Sequence, residues 1–148
     1  MSKLINLTID GEKIEVPEGT TILQAASLLN VHIPTLCYHE DQAVKAVCRI
    51  CVVEVEGQRL LPAACSTPVS EGMVVKTASP KVIAARKNIM ELILARHPQD
   101  CLNCSKNGSC ELQKIARNLN MTRPNRYEQD IRSARFDDSS PSIVRDMR

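Results

Sequence analysis

Seven cysteines and one histidine fall into two spaced groups of four, and this pattern constrains the chain more than any other feature. The first group has the spacing C-x10-C-x2-C-x13-C and consists of Cys37, Cys48, Cys51 and Cys65. The second has the spacing H-x3-C-x2-C-x5-C and consists of His97, Cys101, Cys104 and Cys110. Thiolate and imidazole are ligands of iron–sulfur clusters and of zinc, so each group predicts a metal centre. No cysteine is left over for another role.

The composition agrees with a small protein that needs such a centre. The 148 residues are enough for one ordinary domain or two small ones. Aromatic residues make up only 2% of the chain and tryptophan is absent, so the core must be aliphatic. A metal cluster can stabilise a small domain of this kind. The net charge is only +2 and no dense basic block occurs, so we expect no nucleic-acid partner.

The N-terminus has no apolar segment with a cleavage site, and the sequence contains no run of 18 apolar residues. We therefore expect no membrane span and a cytoplasmic location. In a reducing cytosol, clustered cysteines are more often metal ligands than disulfides.

The first half of the chain has the pattern of an α+β domain. Residues 3–9 alternate between apolar and polar, and Asp10-Gly11 is a hairpin signal before a second strand at residues 12–16. Thr21 and Gln24 form a capping box that begins a helix. Further strands are predicted at residues 52–56, 60–65 and 73–77. This order is typical of a β-grasp domain, which we place at residues 1–78.

The second half is predicted to be helical over residues 79–122. Ser79 and Pro80 are typical of a helix start, and the helix should end before His97 because Pro98 follows. Its apolar stripe consists of Val82, Ala85, Ile89 and Ile93, which we interpret as core packing. A last amphipathic helix is expected from Leu112 to Leu119. Residues 123–148 form a polar tail, extended in conformation, whose segment 137–142 has the composition of a linker; its mixed Arg and Asp content also suits a docking arm.

The first group of cysteines favours a 2Fe-2S cluster. Cys48 and Cys51 can meet one centre from a single loop, while Cys37 and Cys65 stand alone on either side. Structural zinc sites usually combine C-x2-C with another close pair, so zinc is the weaker alternative, beside unligated core cysteines. His39 follows Cys37 as in half of a Rieske site, but Cys51 stands where the other histidine would be needed. We therefore interpret His39 as a surface residue or one that contacts the ligands without binding the metal, and His32 as a loop residue.

The second group fits a 4Fe-4S cluster or a structural zinc, and spacing alone leaves both open. Cys110 is predicted at a helix N-terminus, where backbone N–H groups stabilise anionic sulfur. A histidine ligand needs an oxygen partner for its other ring nitrogen, and Asp100 is a candidate for His97.

Both groups together, in this order and with the intervening Cys48-Arg-Ile-Cys51 and Cys110-Glu-Leu-Gln sequences, resemble the N-terminal iron–sulfur region of iron-only hydrogenases. The region is similar to one in the large iron–sulfur subunit of complex I and in NAD-linked formate dehydrogenases. The resemblance covers residues 1–145. It implies a ferredoxin-like β-grasp domain whose first four cysteines hold a 2Fe-2S cluster. It also implies a small helical domain in which one histidine and three cysteines hold a 4Fe-4S cluster.

The resemblance further implies an electron-transfer module that serves other redox subunits or domains of a multi-subunit oxidoreductase. The tail from Asp137 to Asp146 is similar to the segment before a two-cluster ferredoxin domain in those hydrogenases, but the sequence ends at Arg148 without a further cysteine. We expect either a truncated chain or a small subunit that docks onto partners. No catalytic nucleophile, acid–base pair or phosphate-binding loop is evident, so we expect no catalysis by the chain alone. The alternatives are a zinc-stabilised interaction module, or a hybrid with zinc only at the second group.

Overall fold

The computed structural model describes residues 3–98, 100–121, 136–140 and 142–146. Its element order is strand, strand, helix, two strands, two helices separated by a 3-10 turn, and a final strand pair. The predicted α+β class with a ferredoxin-like sheet followed by a helical region is confirmed.

A four-stranded mixed sheet in the order β2-β1-β4-β3 forms the first half. Its strands are β1 (Leu4–Ile9), β2 (Glu12–Pro17), β3 (Glu54–Val55) and β4 (Met73–Lys76). The predicted hairpin is present: β1 and β2 are antiparallel, and Asp10 and Gly11 both have positive φ, as a two-residue turn of this kind requires. β4 runs parallel to β1 and antiparallel to β3, so the chain returns to the centre of the sheet after the cysteine-bearing loops.

Helix α1 (Ile22–Leu28) begins at the predicted capping box. The Thr21 side chain accepts a hydrogen bond from the Gln24 backbone N–H, and the Gln24 side chain accepts one from the Thr21 N–H. The helix buries Ile22, Ala25 and Ala26 in the aliphatic core of the sheet domain. Cys51 and Cys65 belong to this same core, so the sheet domain positions two of the predicted ligands directly.

The strand predicted at residues 60–65 is wrong. Only an isolated bridge joins Val52 to Ala63, and the prediction at residues 52–56 reduces to the two residues of β3. The chain here forms turns instead: the Thr67 hydroxyl and the Ser66 N–H both donate to the carbonyl of Ala63. Cys65 lies within these turns and is buried in the core.

Helix α2 (Pro80–Ala95) starts at Ser79, whose side chain accepts a hydrogen bond from the Val82 N–H, and ends at Arg96 as predicted. Its buried face differs from the predicted stripe, because Arg86 and Met90 are buried with Val82 while Ala85 and Ile89 are only partly covered. Four-residue steps from Val82 define this face, and the helix is rotated by about one position from our expectation.

Helix α3 (Glu111–Asn118) follows a 3-10 turn (Cys101–Asn103) and buries Ile115. Beyond Met121, the described residues contain β5 (Phe136–Ser140) and β6 (Ile143–Asp146), which pair antiparallel. Residues 137–140 of the segment interpreted as a linker lie in β5, and the assignment of the tail as a whole stays a prediction. Residues 123–135, predicted as polar tail, lie outside the described residues.

Candidate metal centres

The loop that carries Cys48 and Cys51 has an unusual backbone. Ala46 and Arg49 both have positive φ, at 50° and 59°, although neither is glycine. Left-handed conformations of this kind cost free energy in residues with a Cβ and persist where the surrounding structure requires them. The loop is fixed from within by Ile50, which is fully buried. A tight, well-anchored loop therefore presents the two thiols.

The structure brings the cysteines of the first group together as two close pairs. The Sγ atoms of Cys51 and Cys65 lie 3.4 Å apart without a disulfide. Cys37 and Cys48 share a side-chain hydrogen bond. Burial raises the pKa of Cys65 to about 12, and the hydrogen bond to Cys51 and the negative charges of the other three thiols act in the same direction. The charges of the other three cysteines therefore all reach Cys65.

Hydrogen bonds from the backbone act on the sulfurs of Cys37 and Cys48. Burial raises the pKa of Cys37, but hydrogen bonds from the backbone and side chain of Cys48 and from the Val47 backbone outweigh it, and the net pKa is lowered. At Cys48 burial prevails and raises the pKa, against a backbone hydrogen bond at Ile50. Such donors stabilise anionic sulfur and help to set the potential of iron–sulfur clusters. Free thiols with backbone donors therefore fit the predicted 2Fe-2S cluster.

The second group is distributed over one short connection between two helices. His97 directly follows Arg96, the C-cap of α2, and the His97 N–H donates to the carbonyl of Leu94. Cys101 begins the 3-10 turn, and Cys104 closes it by donating its N–H to the Cys101 carbonyl at 3.2 Å. Cys110 caps the N-terminus of α3, as predicted, and its thiol makes no capping hydrogen bond.

The side chains of this second group are half-buried or exposed, with Cys104 the most accessible of its thiols. Soft sulfur donors and one imidazole on a short loop fit a 4Fe-4S cluster in their chemistry. The predicted hydrogen bond from His97 to Asp100 is not found: both oxygens of Asp100 accept hydrogen bonds from the Asn103 amide at 2.9 Å.

The remaining histidines behave as loop residues. His39 is mostly exposed, and its Nδ1 accepts a hydrogen bond from the Asp41 backbone N–H. His32 is also exposed. Among the described residues, no group of three or more His, Cys, Asp or Glu side chains is arranged to hold a single metal ion. The assignment of individual ligands stays a prediction.

Two features beside the first group were not predicted from the sequence, namely the packing of Ile50 and the burial of Arg86. Ile50, inside the C-x2-C loop, packs in a second core with Met90 of α2 and Ile115 of α3. Arg86 of α2 is buried and reaches back to the sheet domain, where its Nη2 donates to the Val52 carbonyl at 2.8 Å. The sequence does carry a signal for the burial of Arg86: it lies four positions from both Val82 and Met90, and this spacing places all three on one face of the helix.

Residues 2–80 match the family described as the 2Fe-2S iron-sulfur cluster binding domain. Residues 86–125 match the NADH-ubiquinone oxidoreductase-G iron-sulfur binding region. The chain belongs to the first family, and the two matches show a 2Fe-2S and a 4Fe-4S cluster as its cofactors. They also give it an iron–sulfur electron-transfer role.

The resemblance to hydrogenase and complex I subunits is likewise confirmed. The chain is 48% identical to the NADP-reducing hydrogenase subunit HndD of Solidesulfovibrio fructosivorans over 97% of its own length and 25% of the relative's. It is 41% identical to an NADH-quinone oxidoreductase subunit of Rickettsia bellii, over 95% of this chain and 20% of that one. A crystal structure of an NAD+-reducing [NiFe]-hydrogenase superposes with a TM-score of 0.75 at 33% identity, over 93% of this chain and 57% of that chain.

The chain thus spans a quarter or less of the length of these curated relatives. They are subunits of multi-subunit oxidoreductases. Within the described ranges, no helix has the length and apolar character that crossing a bilayer requires.

Proposed function

We propose that the chain relays electrons between a 2Fe-2S cluster held by its first group and a 4Fe-4S cluster held by its second. The ligands of the first are Cys37, Cys48, Cys51 and Cys65. The ligands of the second are His97, Cys101, Cys104 and Cys110. The clusters supply the one-electron chemistry, and the protein's share is ligation, burial and hydrogen bonding.

The observation that carries this proposal is the second core, which is shared by both ligand-bearing regions. Ile50 lies between Cys48 and Cys51, and it packs with Met90 and Ile115 of the helices that flank the second group. Leu36, next to Cys37, and Cys48 itself contact the same core. A packed core of this kind would keep the two predicted ligand groups at a fixed separation, which supports an electron relay over two independent structural zinc sites.

The donor and acceptor follow from the similarity to hydrogenase and NADH dehydrogenase subunits. We infer that the chain exchanges electrons with other redox subunits or domains of such a complex, in a reducing, cytoplasmic compartment, without binding nucleic acid. The seven free cysteines support the compartment, since an oxidising one would favour disulfides. Catalysis is assigned to those partners, so hydrogen uptake with methyl viologen by the isolated chain would contradict this part.

The deciding experiment is anaerobic iron, sulfide and zinc analysis of the purified chain, with EPR spectra of the reduced sample. We expect about six irons and six sulfides per chain, which is the content of one 2Fe-2S and one 4Fe-4S cluster, and two distinct reduced signals. Zinc with little iron, in a colourless protein, would overturn the proposal. One zinc with two irons would leave a cluster only at the first group and would remove the relay.

A further inference from the structure

Arg86 is a buried cation at the junction of the two regions. It is 6% exposed, and it lies on α2 between Val82 and Met90, neither of which is exposed at all. Arginine is seldom buried to this extent unless a charged or polar partner compensates it. The partner of this guanidinium therefore needs to be identified.

The hydrogen bonds of Arg86 only partly compensate its charge. Nη2 donates to the carbonyl of Val52, the residue that directly follows Cys51. Nε is buried and has no hydrogen-bond partner among the described residues. No carboxylate of the described residues forms an ion pair with the guanidinium. A neutral carbonyl and an unpaired N–H leave a positive charge that requires a nearby anion.

Two residues, Cys51 and Asp10, act on the charge of Arg86. Burial lowers the pKa of the Arg86 guanidinium, and the negative charges of Cys51 and Asp10 oppose that change. Arginine stays protonated in proteins even so, because its intrinsic pKa is very high. Asp10 is exposed and is already engaged by Thr77, whose N–H and hydroxyl both donate to its carboxylate. Cys51 is the buried one of the two, and it directly precedes Val52, whose carbonyl accepts the hydrogen bond from Arg86.

We propose that Arg86 is the fixed counter-charge of the 2Fe-2S site, which stabilises the reduced cluster through its field and raises its midpoint potential. This inference rests on the ligand set proposed above. Reduction adds one electron to the cluster, converts one ferric iron to ferrous and breaks no bond, with the electron supplied by the partner subunit or by dithionite in vitro. The site becomes more negative by one charge in this step, so a cation beside Cys51 favours the reduced form.

Because Arg86 belongs to the helix that leads to His97, it also ties the potential of the first centre to the position of the second region. The Arg86–Val52 hydrogen bond spans the boundary between the sheet domain and α2. Lys81 makes a second connection of this kind, from its Nζ to the carbonyl of Arg59 at 3.2 Å, but at an exposed site. Only the buried contact places its charge where solvent screens it little.

The test is an EPR-monitored redox titration of the full chain with both clusters loaded. Arg86→Gln removes the charge and keeps an N–H donor for the Val52 carbonyl, while Arg86→Lys keeps the charge. Lys87→Met is the matched control, because it removes the same charge from the next, exposed position of α2. We expect Arg86→Gln to shift the 2Fe-2S midpoint to more negative potential, by more than the 4Fe-4S midpoint and at high salt as well as low. Arg86→Lys should recover most of the shift, and Lys87→Met should cause none.

An unchanged 2Fe-2S midpoint in Arg86→Gln with full cluster content would overturn the inference, as would an equal shift in Lys87→Met. If Arg86→Gln does not assemble the cluster, Arg86→Met provides the second variant, since it also removes the charge and fills the buried position with an apolar side chain. It should show the same shift to more negative potential, and an unchanged midpoint would again overturn the inference. Absence of any 2Fe-2S signal in the wild-type chain would instead contradict the proposed function.

Discussion

Ile50, between two predicted cluster ligands, and Met90, in the middle of α2, are fully buried in the same small core. The core has few members, so each contributes a large part of the contact between the sheet domain and the helices. Its position makes the ligand loop depend on the helical region for its support. A change in α2 should therefore be felt at the first metal centre, although α2 supplies none of that centre's ligands.

Truncation of Met90 tests this dependence. Met90→Ala should lower the free energy of unfolding by about 2–5 kcal/mol, because it leaves a cavity against Ile50. It should also accelerate loss of the 2Fe-2S absorption on heating. Leu92→Ala is the control on the same helix: Leu92 is 52% exposed, and its truncation should change stability by no more than about 0.5 kcal/mol. Urea unfolding and the bleaching rate provide the measurements, and equal values for the two variants would rule out the shared core as a support.

Substitution of single ligands should remove one cluster at a time. Cys65→Ser should abolish the 2Fe-2S signal and leave about four irons per chain, whereas Cys104→Ser should abolish the 4Fe-4S signal and leave about two. Each variant is the control for the other, since both exchange one sulfur for oxygen. Iron analysis and EPR of the reduced proteins check the result. Retention of the full iron content by either variant would show that its cysteine is not a ligand.

The contact between Thr77 and Asp10 should stabilise the passage from β4 into α2. Thr77 is buried, and its hydroxyl donates to the Asp10 carboxylate. Thr77→Val keeps the shape of the side chain and removes this hydrogen bond. It should lower the free energy of unfolding by about 1.5 kcal/mol, which is the low end of the range for a hydrogen bond to a charged group, because Asp10 is exposed. Thr8→Val in β1 should stay within about 0.5 kcal/mol. Urea unfolding measures the free energy of unfolding of both variants. Equal values would show that the hydrogen bond between Thr77 and Asp10 contributes nothing to stability.

The parts of the fold that local chemistry determines could be predicted from the sequence. The Asp10-Gly11 turn, the capping box at Thr21 and the start of α2 at Ser79 each depend on neighbouring residues only. The ligand candidates could be found for a related reason, because thiols that share a centre must recur at restricted spacings.

The predictions were wrong or incomplete where contacts between residues far apart in the sequence determine the structure. Residues 60–65 have a strand-like composition, but the chain turns here because the Ser66 N–H and the Thr67 hydroxyl both donate to the Ala63 carbonyl, and Cys65 meets the distant Cys51 in the core. The burial of Arg86 was missed because a charge on an amphipathic helix normally lies in solvent. Its partner, the Val52 carbonyl, becomes apparent only when the two regions are packed together.

The sulfur environments of the first group predict an order of reactivity in the cluster-free chain. The thiolate is the reactive form, so a thiol with a raised pKa is alkylated slowly near neutral pH. Burial first, and then the hydrogen bond and charges of neighbouring thiols, raise the pKa of Cys65 to about 12, whereas backbone donors lower that of Cys37. Cys37 should therefore react with iodoacetamide well before Cys65. Timed quenching and peptide mass mapping measure both rates in one sample, and loading of the cluster should protect both residues. Equal rates for the two cysteines would contradict this difference between their pKa values.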